Sequence, residues 1–118
     1  MGKNYEDLQV WQRSKVLAVS VYRATAGLKD FGFRDQITRA ALSIPSNIAE
    51  GAERPGRREF SQFAGYAKGS AGELRTQLLI GAELLYIEPK LAAQLAEETS
   101  QLSRMLHALI QSLKETSE

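Results

Sequence analysis

Residues 33–51, FRDQITRAALSIPSNIAEG, place an apolar side chain at every third or fourth position. The members of this stripe are Phe33, Ile37, Ala40, Ala41, Ile44 and Ile48. This spacing predicts one face of an α-helix, closed by Gly51. Pro45 conflicts with a regular helix because it lacks a backbone N–H and disfavours helical dihedral angles at Ile44. Since the stripe stays in phase across Pro45, we expect one kinked helix; a break with a new cap at Ser46 or Asn47 is the alternative.

The same periodicity recurs in three other segments, and no alternating run bounded by a hairpin turn indicates a strand. We expect helices from about Asp7 to Ala26, from near Gly56 to about Leu85, and from Pro89 onward. Asp7 is a plausible N-cap for the first of them, and Gly27 a plausible stop. The predicted core positions of these helices are Val10, Trp11, Leu17, Ala18, Val21 and Tyr22; Phe60, Phe63, Ala67, Ala71, Leu74, Leu78 and Leu85; and Leu91, Leu95, Leu102, Leu106, Leu109 and Leu113. Short connections favour antiparallel neighbours, so the predicted fold is an all-α, up-down-up-down four-helix bundle, one domain over residues 1–118.

Composition excludes several classes of function. A chain of 118 residues suffices for a single modest core. Because it contains no cysteine, disulfide scaffolds, thiolate metal sites and thiol nucleophiles are excluded. The beginning of the sequence lacks the apolar region of a secretion signal, and no segment is apolar enough to span a membrane. We therefore expect a cytoplasmic protein with no membrane partner, and its net charge of +1 neither requires nor excludes an anionic one.

Glycines in the third predicted helix suggest a contact surface. Gly65, Gly69, Gly72 and Leu79 lie on the side away from its apolar stripe. Each interior glycine costs about 1 kcal/mol relative to alanine, which close approach of another backbone would offset. Val16 and Val19 similarly point off the core face of the first predicted helix. We expect these six residues to form a homo-oligomer interface; glycines tolerated on a solvated face are the alternative.

A polar stripe accompanies the apolar stripe of the second predicted helix. Partly buried polar groups at such a boundary need partners, so we expect a hydrogen-bond network that fixes register or an interface. Its predicted members are Gln36, Arg39, Asn47 and Glu50, with Glu73 or Gln77 of the third helix. Acid–base catalysis is the less favoured interpretation, because the sequence shows neither a metal signature nor a nucleophile.

Three arginines surround the predicted start of the third helix. Arg57 and Arg58 lie in its first turn, where the helix dipole disfavours cations, and Arg54 precedes them. A bound phosphate would reverse this penalty, so the turn is a candidate anion site; a solvated basic loop is the alternative. Together with Arg39 and Lys68, these arginines form the candidate nucleic-acid-binding set.

Enzyme signatures are missing from the sequence. Di-metal helical bundles need Glu-x-x-His pairs, but the only histidine, His107, has Arg104 at that spacing. There is no nucleotide-binding glycine loop and no nucleophile elbow. We therefore expect no enzymatic activity, no metal, no cofactor and no small-molecule substrate.

Three segments resemble a known family. Residues 36–51, QITRAALSIPSNIAEG, closely resemble the signature of the bacterial four-helix-bundle proteins encoded in intervening sequences of large-subunit ribosomal RNA genes. Residues 7–12, DLQVWQ, resemble the opening helix of that family, and residues 59–60, 67–70 and 73–78 resemble its third. The resemblance implies a ring-shaped homopentamer with no known enzymatic activity. The family is similar to the accessory variability-determinant proteins of diversity-generating retroelements, which associate with a reverse transcriptase and bind nucleic acid through basic surfaces.

The sequence departs from the family pattern at two places. Thr38-Arg39 stands where paired arginines are common, and residues 27–31 form a short loop without the usual Phe-Pro. Any nucleic-acid binding is therefore expected to be weak and salt-sensitive. The predicted function is a non-enzymatic, homopentameric adaptor or scaffold whose partner is RNA or an RNA-handling protein. The alternative is a structural protein-interaction module without affinity for nucleic acid.

Overall fold

The computed structural model describes residues 4–115 and contains four long helices. Their bounds are α1, Gln9–Thr25; α2, Phe31–Glu53; α3, Arg57–Glu83; and α4, Pro89–Glu115. A short 3₁₀ turn, Tyr5–Asp7, precedes α1. Each helix packs on the next and α4 closes onto α1, whereas the diagonal pairs, α1 with α3 and α2 with α4, make no contact. The predicted up-down-up-down bundle is confirmed; it measures 48 × 21 × 19 Å, and residues 4–115 include no strand.

The first two helices begin at positions other than those predicted. The N-cap of α1 is Leu8, not Asp7, and the side chain of Asn4 caps the preceding 3₁₀ turn instead. α2 begins at Phe31 because Asp30 Oδ1 accepts a hydrogen bond from the Phe33 N–H at 3.1 Å.

Asp30 also ties together two loops at one end of the bundle. The Tyr86 hydroxyl, beyond the end of α3, donates to Asp30 Oδ2 at 2.8 Å. The N–H of Phe33 and then this hydroxyl hold the pKa of Asp30 below its ordinary value, because both bonds favour the carboxylate. One side chain therefore caps α2 and fixes the α3–α4 loop beside it.

Gly51 does not end α2, which continues to Glu53. A Cβ at this position would lie 2.6 Å from Phe63 Cβ and 3.0 Å from Phe60 Cδ1 on α3. The predicted helix stop is therefore wrong. Gly51 is a buried point of close approach between α2 and α3, where no larger residue fits without displacing α3.

Pro45 lies inside a continuous helix. α2 has no second start after Pro45, so the alternative of a break and a new cap at Ser46 or Asn47 is not found. The Pro45 side chain is buried and borders a cleft between α1 and α2. The kink at Pro45 stays a prediction.

The core is built from the predicted stripes with three exceptions. Its largest fully buried apolar side chains are Ile37, Ile44, Ile48, Leu74, Leu78, Leu102, Leu106 and Val21. Three residues predicted for the core, Tyr22, Leu85 and Leu91, are exposed instead. Tyr22 borders the cleft between α1 and α2, and Leu85 belongs to the turn after α3. Ile87, which lies outside any periodic stripe, is buried in place of Leu85.

Leu85 is the one residue other than glycine within residues 4–115 that has a positive φ, 59°. This left-handed conformation costs leucine about 1–2 kcal/mol. The Leu85 side chain is 77% exposed and contributes little packing in return. We expect Leu85→Gly to raise the free energy of unfolding by about 0.5–1 kcal/mol, since relief of strain exceeds the added entropy of the unfolded chain.

Urea denaturation followed by circular dichroism tests this expectation. The control is Leu84→Gly, because Leu84 has an ordinary φ of −79° and glycine there relieves no strain. Both variants also carry Val19→Asp, which blocks the assembly proposed below. Equal losses of stability in the two variants would contradict the account of strain at Leu85.

Candidate functional site

The three glycines of α3 face open space. A Cβ added at Gly65, Gly69 or Gly72 would meet nothing within 4 Å, apart from neighbouring backbone of the helix itself. Packing within the chain therefore does not require glycine at any of these positions. The interface predicted for these glycines stays a prediction. Crowding by other parts of the chain does not explain why glycine stands at these positions.

Exposed apolar side chains extend this surface on the half of α3 nearer α2. Tyr66, Ile80 and Leu84 are 58%, 46% and 51% exposed; Leu79, which is 43% exposed, lies on the other half of α3, about one helical turn after Arg75. Glu73 and Glu83 are exposed on the same helix beside them. We name this surface the α3 face: Tyr66, Gly69, Glu73, Leu79, Ile80, Glu83 and Leu84. Sequence analysis missed Tyr66, Ile80 and Leu84; the i, i+4 spacing of Ile80 and Leu84 was the available signal.

A second exposed apolar surface lies on α1 and α2. Val16 and Val19 point away from the core, as their spacing predicts, and Tyr22 and Leu42 are exposed beside them. Val19, Tyr22 and Leu42 border an apolar cleft of about 330 Å³, with Lys15 and Arg23 also lining it. We name this surface the α1 face: Lys15, Val16, Val19, Tyr22, Arg23 and Leu42. Because α1 contains no Asp or Glu, all charges that this helix contributes are positive.

The two faces lie on different helices of the bundle. α1 and α3 occupy diagonal corners, and both faces lean toward α2, since Leu42 of α2 belongs to the α1 face and Glu73 of the α3 face lines a cleft with α2. The α1 face carries cations and the α3 face carries carboxylates. One subunit therefore presents two apolar surfaces that differ in charge and that it cannot bring together itself.

The polar stripe of α2 lies against α3, but its hydrogen bonds differ from the predicted network. The helices are joined here by the hydroxyls of Ser43 and Ser70, 2.5 Å apart. Asn47 Nδ2 donates to the carbonyl of Ser43 within α2 at 2.8 Å. Glu50 pairs at 2.9 Å with Arg54, which lies one helical turn away and is nearer than any partner on α3.

The remaining members of the predicted network are brought near one another without bonding. Gln36, Arg39 and Glu73 line one cleft between α2 and α3, together with Asp35. Within residues 4–115, no hydrogen bond or ion pair links Gln36, Arg39 and Glu73. The Gln77 Oε1 atom is buried without a hydrogen-bond partner.

Two of the three arginines around the start of α3 have partners in the chain. Arg54 pairs with Glu50, and its guanidinium lies 4.9 Å from the centre of the Phe63 ring. Arg57 donates to the carbonyl oxygens of Ser112 and Leu113, at 3.4 and 3.5 Å. These carbonyls belong to the last turn of α4, where the helix dipole favours a cation. A cation in the first turn of α3 is thereby explained without a bound anion.

Cationic side chains line the groove between α3 and α4. Arg58 borders the groove near the end of α4, Lys68 lies midway, and Arg75 follows further along α3. Arg104 and His107 of α4 line the opposite wall. We name this surface the basic groove: Arg58, Lys68, Arg75, Arg104 and His107. Arg39, with Arg54, lies on the α2 side instead, so the predicted nucleic-acid set is divided between two sides of α3.

The sequence-based prediction missed Arg75 and Arg104, and it considered His107 only as a metal ligand. Lys68 and Arg75 are seven residues apart, close to two helical turns, which was the available signal on α3. The α4 members could not be added without knowing which helix packs beside α3.

The fold defines a four-helix-bundle protein with exposed apolar and basic surfaces along its helices. Residues 4–115 contain no cluster of His, Asp or Glu that could hold a metal, and none of their helices is long and apolar enough to cross a membrane. The chain belongs to the 23S rRNA-intervening sequence protein family, whose model matches residues 6–108. The family predicted from residues 36–51 is thus confirmed, and its description indicates no catalytic activity.

A solved structure shares the fold. It is the crystal structure of a protein of unknown function from the S23 ribosomal protein family of Bacteroides thetaiotaomicron. The two structures superpose with a TM-score of 0.80 at 23% sequence identity, covering 86% of this chain and 97% of the other. A comparison with curated proteins finds no match.

Proposed function

We propose that the protein is a non-enzymatic, cytoplasmic scaffold that assembles head to tail into a homopentameric ring and presents RNA or an RNA-handling protein. The observation that carries this proposal is the pair of apolar faces, the α1 face and the α3 face, on diagonal helices of one subunit and with opposite charges.

Charge favours a head-to-tail contact over a two-fold contact. A two-fold dimer through the α1 face brings Lys15 and Arg23 toward their own copies, and one through the α3 face does the same for Glu73 and Glu83. Joining the α1 face of one subunit to the α3 face of the next replaces both repulsions by attraction. Because the joined pair keeps one unused face of each kind, the contact repeats, and it closes into a ring of five when each junction turns the next subunit by one fifth of a full rotation.

Burial of the apolar side chains offsets much of the free-energy cost of such a contact. Burying the exposed part of one large apolar side chain contributes about 1 kcal/mol. Each junction covers a set from two subunits: Val16, Val19, Tyr22 and Leu42 from one, and Tyr66, Leu79, Ile80 and Leu84 from the next. Their sum of about 8 kcal/mol lies within the estimated 4–15 kcal/mol cost of association, and the ion pairs and the close approach allowed by Gly69 add to it.

The alternative function is a protein-interaction module without affinity for nucleic acid. The net charge of +1 favours this alternative, because nucleic-acid-binding domains usually carry a larger positive charge. Both functions use the same assembly and differ in what the ring presents.

Two variants, each blocking one face, test the assembly. Val19→Asp places a charge in the α1 face, and Ile80→Asp does so in the α3 face. We expect light scattering to give the native protein five times its chain mass of 13.1 kDa, and each variant alone the mass of one chain. An equimolar mixture of the two variants should give a dimer, because each supplies the face that the other lacks.

Phe31→Asp serves as the matched control, since Phe31 is an exposed apolar residue outside both faces, and it should assemble normally. Gly69→Leu should also lose assembly while keeping its helix content by circular dichroism. Native protein that is monomeric, or single variants that still form dimers, would contradict the head-to-tail ring.

A further inference from the structure

We infer that the basic groove binds the sugar-phosphate backbone of a nucleic-acid strand without reading its sequence. This inference rests on the nucleic-acid part of the proposed function and does not depend on the ring. The groove lies on the half of α3 nearer α4, and most of the α3 face lies on the half nearer α2; Leu79, about one helical turn after Arg75, borders both surfaces. A strand and a neighbouring subunit therefore meet the same helix mainly on different sides.

The length of the groove suits a strand. Arg58 and Arg75 are separated by seventeen residues of unbroken helix, which corresponds to about 25 Å at 1.5 Å per residue. At about 3.4 Å per nucleotide along one strand of a duplex, this length spans roughly seven phosphates. Arg58, Lys68 and Arg75 on the α3 wall, with Arg104 on the α4 wall, give these phosphates several cationic partners along this length.

The cations of the groove are not used by the fold. Elsewhere, Arg13 forms two bonds to Glu98 at 2.7 and 3.0 Å, and Arg54 and Arg57 have the partners described above. In contrast, neither Lys68 nor Arg75 takes part in an ion pair within residues 4–115.

The same holds at the ends of the groove. Arg58 has no ion pair within the described part of the chain. Arg104 lies 3.7 Å from Glu97, but both side chains are about two-thirds exposed, so this pair contributes little and is easily exchanged. The positive charge of the groove is therefore available to a ligand.

The lining of the groove points to phosphate rather than to bases. Ser61, Ser100 and Ser103 lie between the cations, and hydroxyl groups are ordinary donors to phosphate oxygens. No phenylalanine, tyrosine or tryptophan lines the three clefts that make up the groove, and His107 supplies its one imidazole, so the groove offers no row of rings on which successive bases could stack. The aromatic rings of α3 lie on its α2 side instead, next to Gly51 and Arg54.

Fluorescence anisotropy with labelled oligouridine of about twelve nucleotides, at about 50 mM salt, tests the inference. The variant is Lys68→Glu with Arg75→Glu, and the matched control is Lys29→Glu with Lys90→Glu. Both double variants change the net charge equally, but Lys29 and Lys90 are exposed residues outside the groove.

We expect the groove variant to bind at least tenfold more weakly, and the slope of log affinity against log salt to fall by about 1.4. The control should stay within about twofold of the native protein, and oligoadenosine and oligodeoxythymidine should bind within about threefold of oligouridine. Equal losses in the two double variants would overturn the groove, since net charge alone would then explain binding. A strong base preference, or equal groove-dependent binding of polyglutamate, would also overturn it.

Light scattering on the same samples separates this inference from the proposed ring. If the native protein assembles but does not bind oligouridine, the inference of a nucleic-acid-binding groove is refuted and the proposed scaffold stands. If the protein is monomeric and its binding of oligouridine depends on Lys68 and Arg75, the groove inference is supported and the proposed ring is refuted.

Discussion

Gly51→Leu is expected to lower the free energy of unfolding by about 3 kcal/mol or more, the largest effect of any single substitution considered for this bundle. Even the first carbon of a side chain would lie 2.6 Å from Phe63 Cβ, and the nearby carbonyl oxygen of Phe60 would be 3.3 Å away. Neither atom is the end of a flexible chain, so α2 and α3 must separate. Urea denaturation in the Val19→Asp background measures folding apart from the proposed assembly.

Alanine at two glycines provides the matched comparison. Gly51→Ala is expected to cost about 1–2 kcal/mol, because steric strain exceeds the roughly 1 kcal/mol gained in helix propensity. Gly65→Ala, where a Cβ meets nothing within 4 Å, should gain up to about 1 kcal/mol. If both variants gained stability, the close approach of α2 and α3 at Gly51 would be refuted.

Leu74→Ala should destabilise the chain by about 2–5 kcal/mol, measured by the same denaturation in the same background. Leu74 is fully buried. Its neighbours along the buried side of α3, Ala67 and Ala71, offer only methyl groups, so they cannot fill the cavity left by the lost side chain. The expected loss of stability therefore includes both the lost transfer free energy of the leucine side chain and the cost of the cavity that it leaves.

Leu91→Ala is the control for this measurement, because Leu91 lies at the start of α4 and is 37% exposed. We expect it to cost less than about 1 kcal/mol. Similar losses at Leu74 and Leu91 would show that the centre of the bundle repacks freely and would contradict the tight core.

The fold could be predicted because periodicity reports burial directly. The stripe from Ile37 to Ile48 defined the core side of α2 without knowledge of its neighbours. Gly51 was misinterpreted, since a glycine that ends a helix and a glycine at a helix crossing look alike until the second helix is placed. Leu85 was wrongly predicted as a core residue because its spacing continues the apolar stripe of α3, although the helix ends at Glu83 and periodicity does not detect a turn.

The surfaces were predicted less completely, since they depend on pairs of helices. The glycines of α3 indicated an exposed side, but its division into an acidic apolar half and a basic half follows from having α2 on one flank and α4 on the other. Arg57 shows the same limit. In the sequence of α3 alone, a cation in the first helical turn is unexpected because the helix dipole disfavours it. The carbonyl oxygens that accept hydrogen bonds from Arg57 lie more than fifty residues away along the chain.

The corner position of α1 affects how the molecule comes apart. α1 is the shortest of the four helices and packs mainly on α2 and less on α4, so it has the least total contact with the rest of its own chain. In the proposed ring, the α3 face of the next subunit supplies the missing cover. Mass action then links the stability of one helix to subunit concentration, and dilution would accelerate hydrogen exchange in α1 before the other three helices open.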